Sequence, residues 1–220
     1  MSLFSWWYLT LRVSIVKHPK PNLTIDISSF IEAGCTKEND HLNCSSIKLE
    51  EEFSCERIVI PSQYMGGLTP KVPIVECMFR NWSIEGFYAG GCLIPLFKKY
   101  ILLSNGEFLS LKNEEEFKKF FAPVETKEEA LSFAVALTDS YPLYEINIPP
   151  HYVVFVPKIE TTYVEEVEEG FKVHLFNYKL CGCGTHPHYA VDYLVTKTGE
   201  VKEIFKQKIY EDPLFTACVD

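Results

Sequence analysis

Apolar and polar residues alternate most regularly near the C-terminus. Phe171, Val173 and Leu175 alternate with Lys172 and His174; beyond a break rich in Gly and Cys, Tyr189, Val191, Tyr193 and Val195 alternate with Asp192 and Thr196. A period of two marks strands with one buried face, so Phe171–Phe205 predicts an antiparallel meander. Its second turn, Lys197-Thr198-Gly199-Glu200, places Gly where a short hairpin loop needs a positive φ. At the other end of the chain, Trp7, Leu9, Leu11, Val13 and Ile15 share one face, with Thr10, Arg12 and Ser14 on the other. That alternation predicts a first strand belonging to the domain core. A basic leader and a small-residue cleavage site, the marks of a signal peptide, are missing from it.

Between these ends the pattern is interrupted by breakers. His18-Pro19-Lys20-Pro21-Asn22 stops the first strand. A short helix is expected around Ser28–Ala33, closed by Gly34, and the polar run Thr36–Ser46 reads as a loop. Ile47–Ile60 is strand-like, most clearly at Arg57-Ile58-Val59-Ile60, and Pro73–Phe79 is another strand after the loop Ser62–Pro70. Gly86, Gly90 and Gly91 match neither dinucleotide nor P-loop spacing and read as tight turns between strands. Tyr100–Ser104 and Glu107–Leu111 flank Asn105-Gly106, the signature of a two-residue type I′ hairpin. Two helices follow, at about 114–121 and 127–139. Asn113 and Thr126 stand at the cap positions, with Glu116 and Glu129 three residues on. Tyr141–Pro150 is a proline-rich linker, and Tyr152–Val156 and Thr161–Val167 are strands leading into the meander.

Composition narrows the function classes. The 220 residues are 47% hydrophobic and 23% charged, which supports a sizeable core and argues against long disorder. A net charge of −9 without a basic cluster excludes a nucleic-acid groove. No uncharged apolar run reaches the roughly 18 residues of a transmembrane helix. Eight cysteines leave two settings open. The leading expectation is a cytoplasmic protein with free buried thiols; the alternative is an exported protein with disulfides, whose leader is not part of this sequence. Sequons at Asn22, Asn43 and Asn81 matter only on a eukaryotic secretory route.

The break inside the meander holds most of the candidate chemistry. Cys181, Cys183, His186 and His188 offer two thiolates and two imidazoles within eight residues, a donor set suited to zinc. The plain alternative is an irregular crossover shaped by Gly182, Gly184 and Pro187. The same residues could serve a thiol enzyme, with Cys181 or Cys183 as nucleophile, His186 or His188 as base and Asp192 orienting a histidine. Such chemistry needs a depressed thiol pKa, and no helix N-terminus or neighbouring cation is evident to supply it. The acidic runs Glu114–Glu116 and Glu165–Glu169 lack calcium-loop spacing and read as solvated surface.

The capped helix Thr126-Lys127-Glu128-Glu129-Ala130-Leu131 and the meander ending Val191–Val201, within residues 126–205, resemble PepSY-type modules. Such modules pair a helix with a small antiparallel sheet. The resemblance implies an inhibitory or peptide-binding role, and the long insertion Cys181–His188 departs from it. For the first half no family is recognised. The sequence therefore predicts an α+β fold, mainly antiparallel sheet with the two consecutive helices packed on it and a C-terminal β-meander. It is expected as one compact unit over 1–220, divisible into a strand-rich 1–122 and a helix-plus-meander 123–220. The expected function is a non-catalytic binding or accessory module for a protein, peptide or small-molecule ligand. Neither cofactor-binding nor catalytic residues are assigned. The alternative is a metal-dependent or thiol enzyme built on the Cys181–His188 loop, with zinc as its metal.

Overall fold

A computed structural model describes residues 13–219. In chain order the first half holds β1 (Ser14–Val16), α1 (Ser28–Ala33), β2 (Thr36–Glu38), β3 (His41–Asn43), α2 (Leu49–Glu52), β4 (Arg57–Val59), β5 (Ile74–Phe79), β6 (Phe87–Gly90), β7 (Leu96–Ser104) and β8 (Glu107–Leu111). The helices α3 (Glu114–Phe121) and α4 (Lys127–Leu137) follow. The second half adds β9 (Val153–Val154), β10 (Lys158–Glu160), β11 (Tyr163–Val167), β12 (Gly170–Tyr178), β13 (Gly182–Cys183), β14 (His188–Thr196), β15 (Val201–Glu211) and β16 (Cys218–Val219). The fold is α+β, with mainly antiparallel sheets and a C-terminal meander. Among the described residues no helix is long and apolar enough to cross a membrane.

One antiparallel sheet runs β2-β3-β4-β5-β7-β6, and β8 also pairs with β7. The second runs β11-β12-β14-β15-β9. Alternation decides what each strand buries. Tyr100 and Leu102 of β7 point into one core, while Ile101 between them points into another. Phe171, Val173 and Leu175 of β12 and Val191, Tyr193 and Val195 of β14 enter that first core, which they share with Tyr100 and Leu102. The helices α3 and α4 fill it with Phe117, Phe121, Leu131, Phe133 and Ala134. A second core on the far face of the first sheet gathers Phe30, Leu42, Ile58, Val75 and Phe79. A third lies behind the meander, around Phe176, Ile159 and Ile209.

Both helix starts follow the sequence. Asn113 Oδ1 accepts from Glu116 N at 2.9 Å. Thr126 and Glu129 form a complete capping box: Thr126 Oγ1 accepts from Glu129 N at 3.2 Å, and Glu129 Oε2 accepts from Thr126 N at 3.0 Å. The helix α4 ends at Leu137, two residues short of the expected 139, with Thr138 at its C-cap. Asn105 and Gly106 have φ of 54° and 81°, the two positive values of a type I′ turn.

The structure corrects three local expectations. Thr36–Ser46 is a hairpin, β2 on β3, rather than an open loop, and its flanks are tied by the Cys35–Cys44 disulfide. Only Arg57–Val59 of the stretch 47–60 is strand; Leu49–Glu52 is a helical turn whose Leu49 is buried. No cysteine is free, so the expected buried thiols are replaced by four disulfides. The N-terminal strand expected from Trp7 lies outside the described residues except for Val13–Ile15. There Ser14–Val16 pairs in parallel with β10, and Val13 packs against the third core.

Candidate functional site

The crossover between β12 and β14 is held by two disulfides to distant parts of the chain. Cys181 bonds Cys92, in the turn between β6 and β7, and Cys183 bonds Cys218, its directly opposed partner across β13 and β16. Neither sulfur is a thiolate, so neither can ligate zinc or act as a nucleophile in this state. The histidines also part company. His186, 4% exposed, lies with Nε2 2.7 Å from the Ala217 carbonyl oxygen and Nδ1 3.3 Å from that of Lys179. Its ring packs on Phe215, tying the C-terminal segment down. His188 sits between the rings of Tyr178 and Tyr210, at centroid distances of 4.4 and 4.6 Å. Burial lowers its pKa, and its Nδ1 is buried without a hydrogen-bond partner. The four residues expected to converge on a metal thus each face different partners. Among the described residues no group of three or more His, Cys, Asp or Glu has metal-holding geometry.

Asp192 does orient a histidine, but a different one. It lies directly across from His174 on the outer face of the meander, and Asp192 Oδ1 is 2.5 Å from His174 Nδ1. His174 stacks on Tyr163 at 5.0 Å, whose other neighbour is His18 at 4.6 Å; His18 Nε2 in turn lies 2.9 Å from Glu160. This row of rings resembles a catalytic relay in its order of groups. Its far nitrogen, His174 Nε2, is buried and has no hydrogen-bond partner among the described residues. The alternation placed His174 and Asp192 on outward faces; only the register of β12 on β14 sets them opposite each other.

One feature with room for a ligand is a groove lined by residues of both sheets. One compartment, about 520 Å³, is lined by Tyr88, Ala89, Cys92, Asn177, Tyr178 and Lys206, among others. A second of about 520 Å³ continues past Tyr88 and Asp139, which belong to both, towards Glu85, Asn113 and Glu114. The Cys92–Cys181 bond lies in the wall of the first compartment. One side of the groove is β6, a strand whose pairing is confined to β7 among the described strands. Gly90 and Gly91 offer only backbone to the lining, and a Cβ at Gly90 would meet nothing within 4 Å. Tyr88 Oη donates to the Gly91 carbonyl at 2.7 Å, fixing the turn. Lys179 and Lys206 line the first compartment, Glu85 and Glu114 line the second beside Lys112, and Asp139 belongs to both, so negative charge prevails in the second.

No family model matches the chain, and no curated protein and no solved structure matches it either.

Proposed function

We propose that the protein is a non-catalytic binding module that takes an extended peptide in the groove beside β6. The observation that carries this reading is the coincidence of an unpaired strand edge with a two-compartment groove. An extended segment laid there could add to β6 through main-chain hydrogen bonds while its side chains enter the compartments. The charge difference between the compartments favours a ligand whose acidic residues or terminal carboxylate lie towards Lys179 and Lys206. The peptide-binding role implied by the PepSY-type resemblance of residues 126–205 points the same way. Pairing of all eight cysteines favours an oxidising, exported setting over the cytoplasm.

The test is a selection of displayed peptides on the oxidised protein, with binders measured by fluorescence anisotropy. Ala89→Trp, which fills the groove, is expected to abolish binding while leaving the thermal midpoint unchanged. Failure to select any peptide, or binders indifferent to Ala89→Trp, would remove the reading.

A further inference from the structure

The four disulfides fall into two classes. Cys35, Cys44 and Cys77 are 2%, 0% and 0% exposed and belong to the second core, which closes off Cys35–Cys44 and one side of Cys55–Cys77. Cys183 and Cys218 are exposed, and Cys92 and Cys181 are partly so. The two surface bonds also meet in sequence, because Cys181 and Cys183 are separated by Gly182 alone. An extended chain places residues i and i+2 about 6.6 Å apart, near the upper limit of about 6.8 Å for a disulfide. Gly182, the one residue between them, has a φ of 93°, and a Cβ added there would meet nothing within 4 Å. A glycine at that place gives the backbone the freedom to shorten the separation of the two cysteines.

We propose that Cys181 and Cys183 form a thiol–disulfide relay, in which a low-molecular-weight thiol that opens Cys183–Cys218 also releases Cys92. In the first step an external thiolate attacks Cys218 Sγ. A mixed disulfide forms on Cys218, the Cys183–Cys218 bond breaks, and the electron pair leaves on Cys183 as a thiolate. In the second step Cys183 attacks Cys181 Sγ. The Cys181–Cys183 bond forms, the Cys92–Cys181 bond breaks, and Cys92 departs as a thiolate that takes a proton from water. A second external thiol then resolves the mixed disulfide on Cys218 and leaves as the oxidised dimer of the reagent. The net change is reduction of one protein disulfide by two thiols. The bond lost from the groove wall is Cys92–Cys181, so the relay removes the covalent ties of the turn between β6 and β7 and of the C-terminal segment together. The inference rests on the cysteine geometry and is independent of the peptide reading.

The experiment uses the oxidised full chain and reduced glutathione at about 0.1 mM, with alkylation quenches over time and disulfide mapping by mass spectrometry. A Cys181–Cys183 linked peptide is expected to appear together with alkylated Cys92, while Cys35–Cys44 and Cys55–Cys77 stay closed. A neighbouring thiol acts at an effective concentration in the millimolar range, so the double variant Cys183→Ser with Cys218→Ser should release Cys92 roughly tenfold more slowly. Absence of the linked peptide from the wild type would overturn the proposal, whatever the variant's stability. So would equal rates of Cys92 release in the two proteins.

Discussion

Replacing Gly67 with Ala tests how closely the turn Gln63–Gly67 approaches α4. A Cβ at Gly67 would lie 2.1 Å from the Glu128 carbonyl oxygen and 2.5 Å from Ser132 Oγ. Neither is the free end of a flexible chain: the first is helix backbone, and Ser132 is fully buried. Relief needs the turn and helix to part by about 1 Å, which forfeits a quarter to a half of the dispersion energy across the gap. Parting also breaks the bond from Gly67 N to Ser132 Oγ, 3.0 Å, and strands that N–H. Overpacking costs about 1–3 kcal/mol and the stranded donor about 1–3 more, so a loss of roughly 2–6 kcal/mol is expected. Urea unfolding under non-reducing conditions measures it, with Ser132→Ala as the control that removes the hydrogen bonds without the clash. A Gly67→Ala protein within about 0.5 kcal/mol of wild type, or less damaged than Ser132→Ala, would refute the close-approach argument.

Three further outcomes are expected. Glu76 lies 2.9 Å from Lys98, with side chains 14% and 11% exposed; burial alone would lower the lysine's pKa, yet Tyr100 and Glu76 outweigh it and raise it. Glu76→Ala therefore leaves an uncompensated buried cation and should cost about 3–5 kcal/mol by denaturant titration, whereas Glu76→Leu combined with Lys98→Met should restore most of that loss. Thr126→Ala should cost about 1 kcal/mol through loss of the cap on α4, and an unchanged unfolding midpoint and slope would count against a helix nucleated there. The pKa of His188 is lowered from 6.5 by burial, so the unfolded chain binds more protons over the window just below that value. Its contribution to stability is then full above that window and lost as pH falls through it; thermal midpoints measured from pH 8 to 5 should fall less steeply for His188→Phe than for wild type.

How much of this was legible follows from which interactions are local. The caps at Asn113 and Thr126, the Asn105-Gly106 turn and the alternation of β12 and β14 depend on neighbours in sequence, and each stands where the sequence put it. The hairpin of β2 and β3 escaped because its polar residues carry no alternation; an edge hairpin stapled by Cys35–Cys44 does not need one. The crossover misled for a related reason. Two cysteines and two histidines in eight residues look like a shared ligand set only while their partners are unknown. Those partners, Cys92, Tyr178, Tyr210 and the adjacent pair Ala217-Cys218, come from four places in the chain. The groove was invisible because Tyr88 and Asn177 face one space only after the two sheets have packed.

The Cys92–Cys181 link also imposes an order on biogenesis. Cys35–Cys44 and Cys55–Cys77 join residues 9 and 22 apart, whereas Cys92 must wait for a partner 89 residues further on. At a synthesis rate of about 5–20 residues per second, that wait lasts on the order of ten seconds. Throughout it, Cys92 is an unpaired thiol on a chain whose earlier cysteines are already able to close. Any oxidation within that interval would find only wrong partners for it.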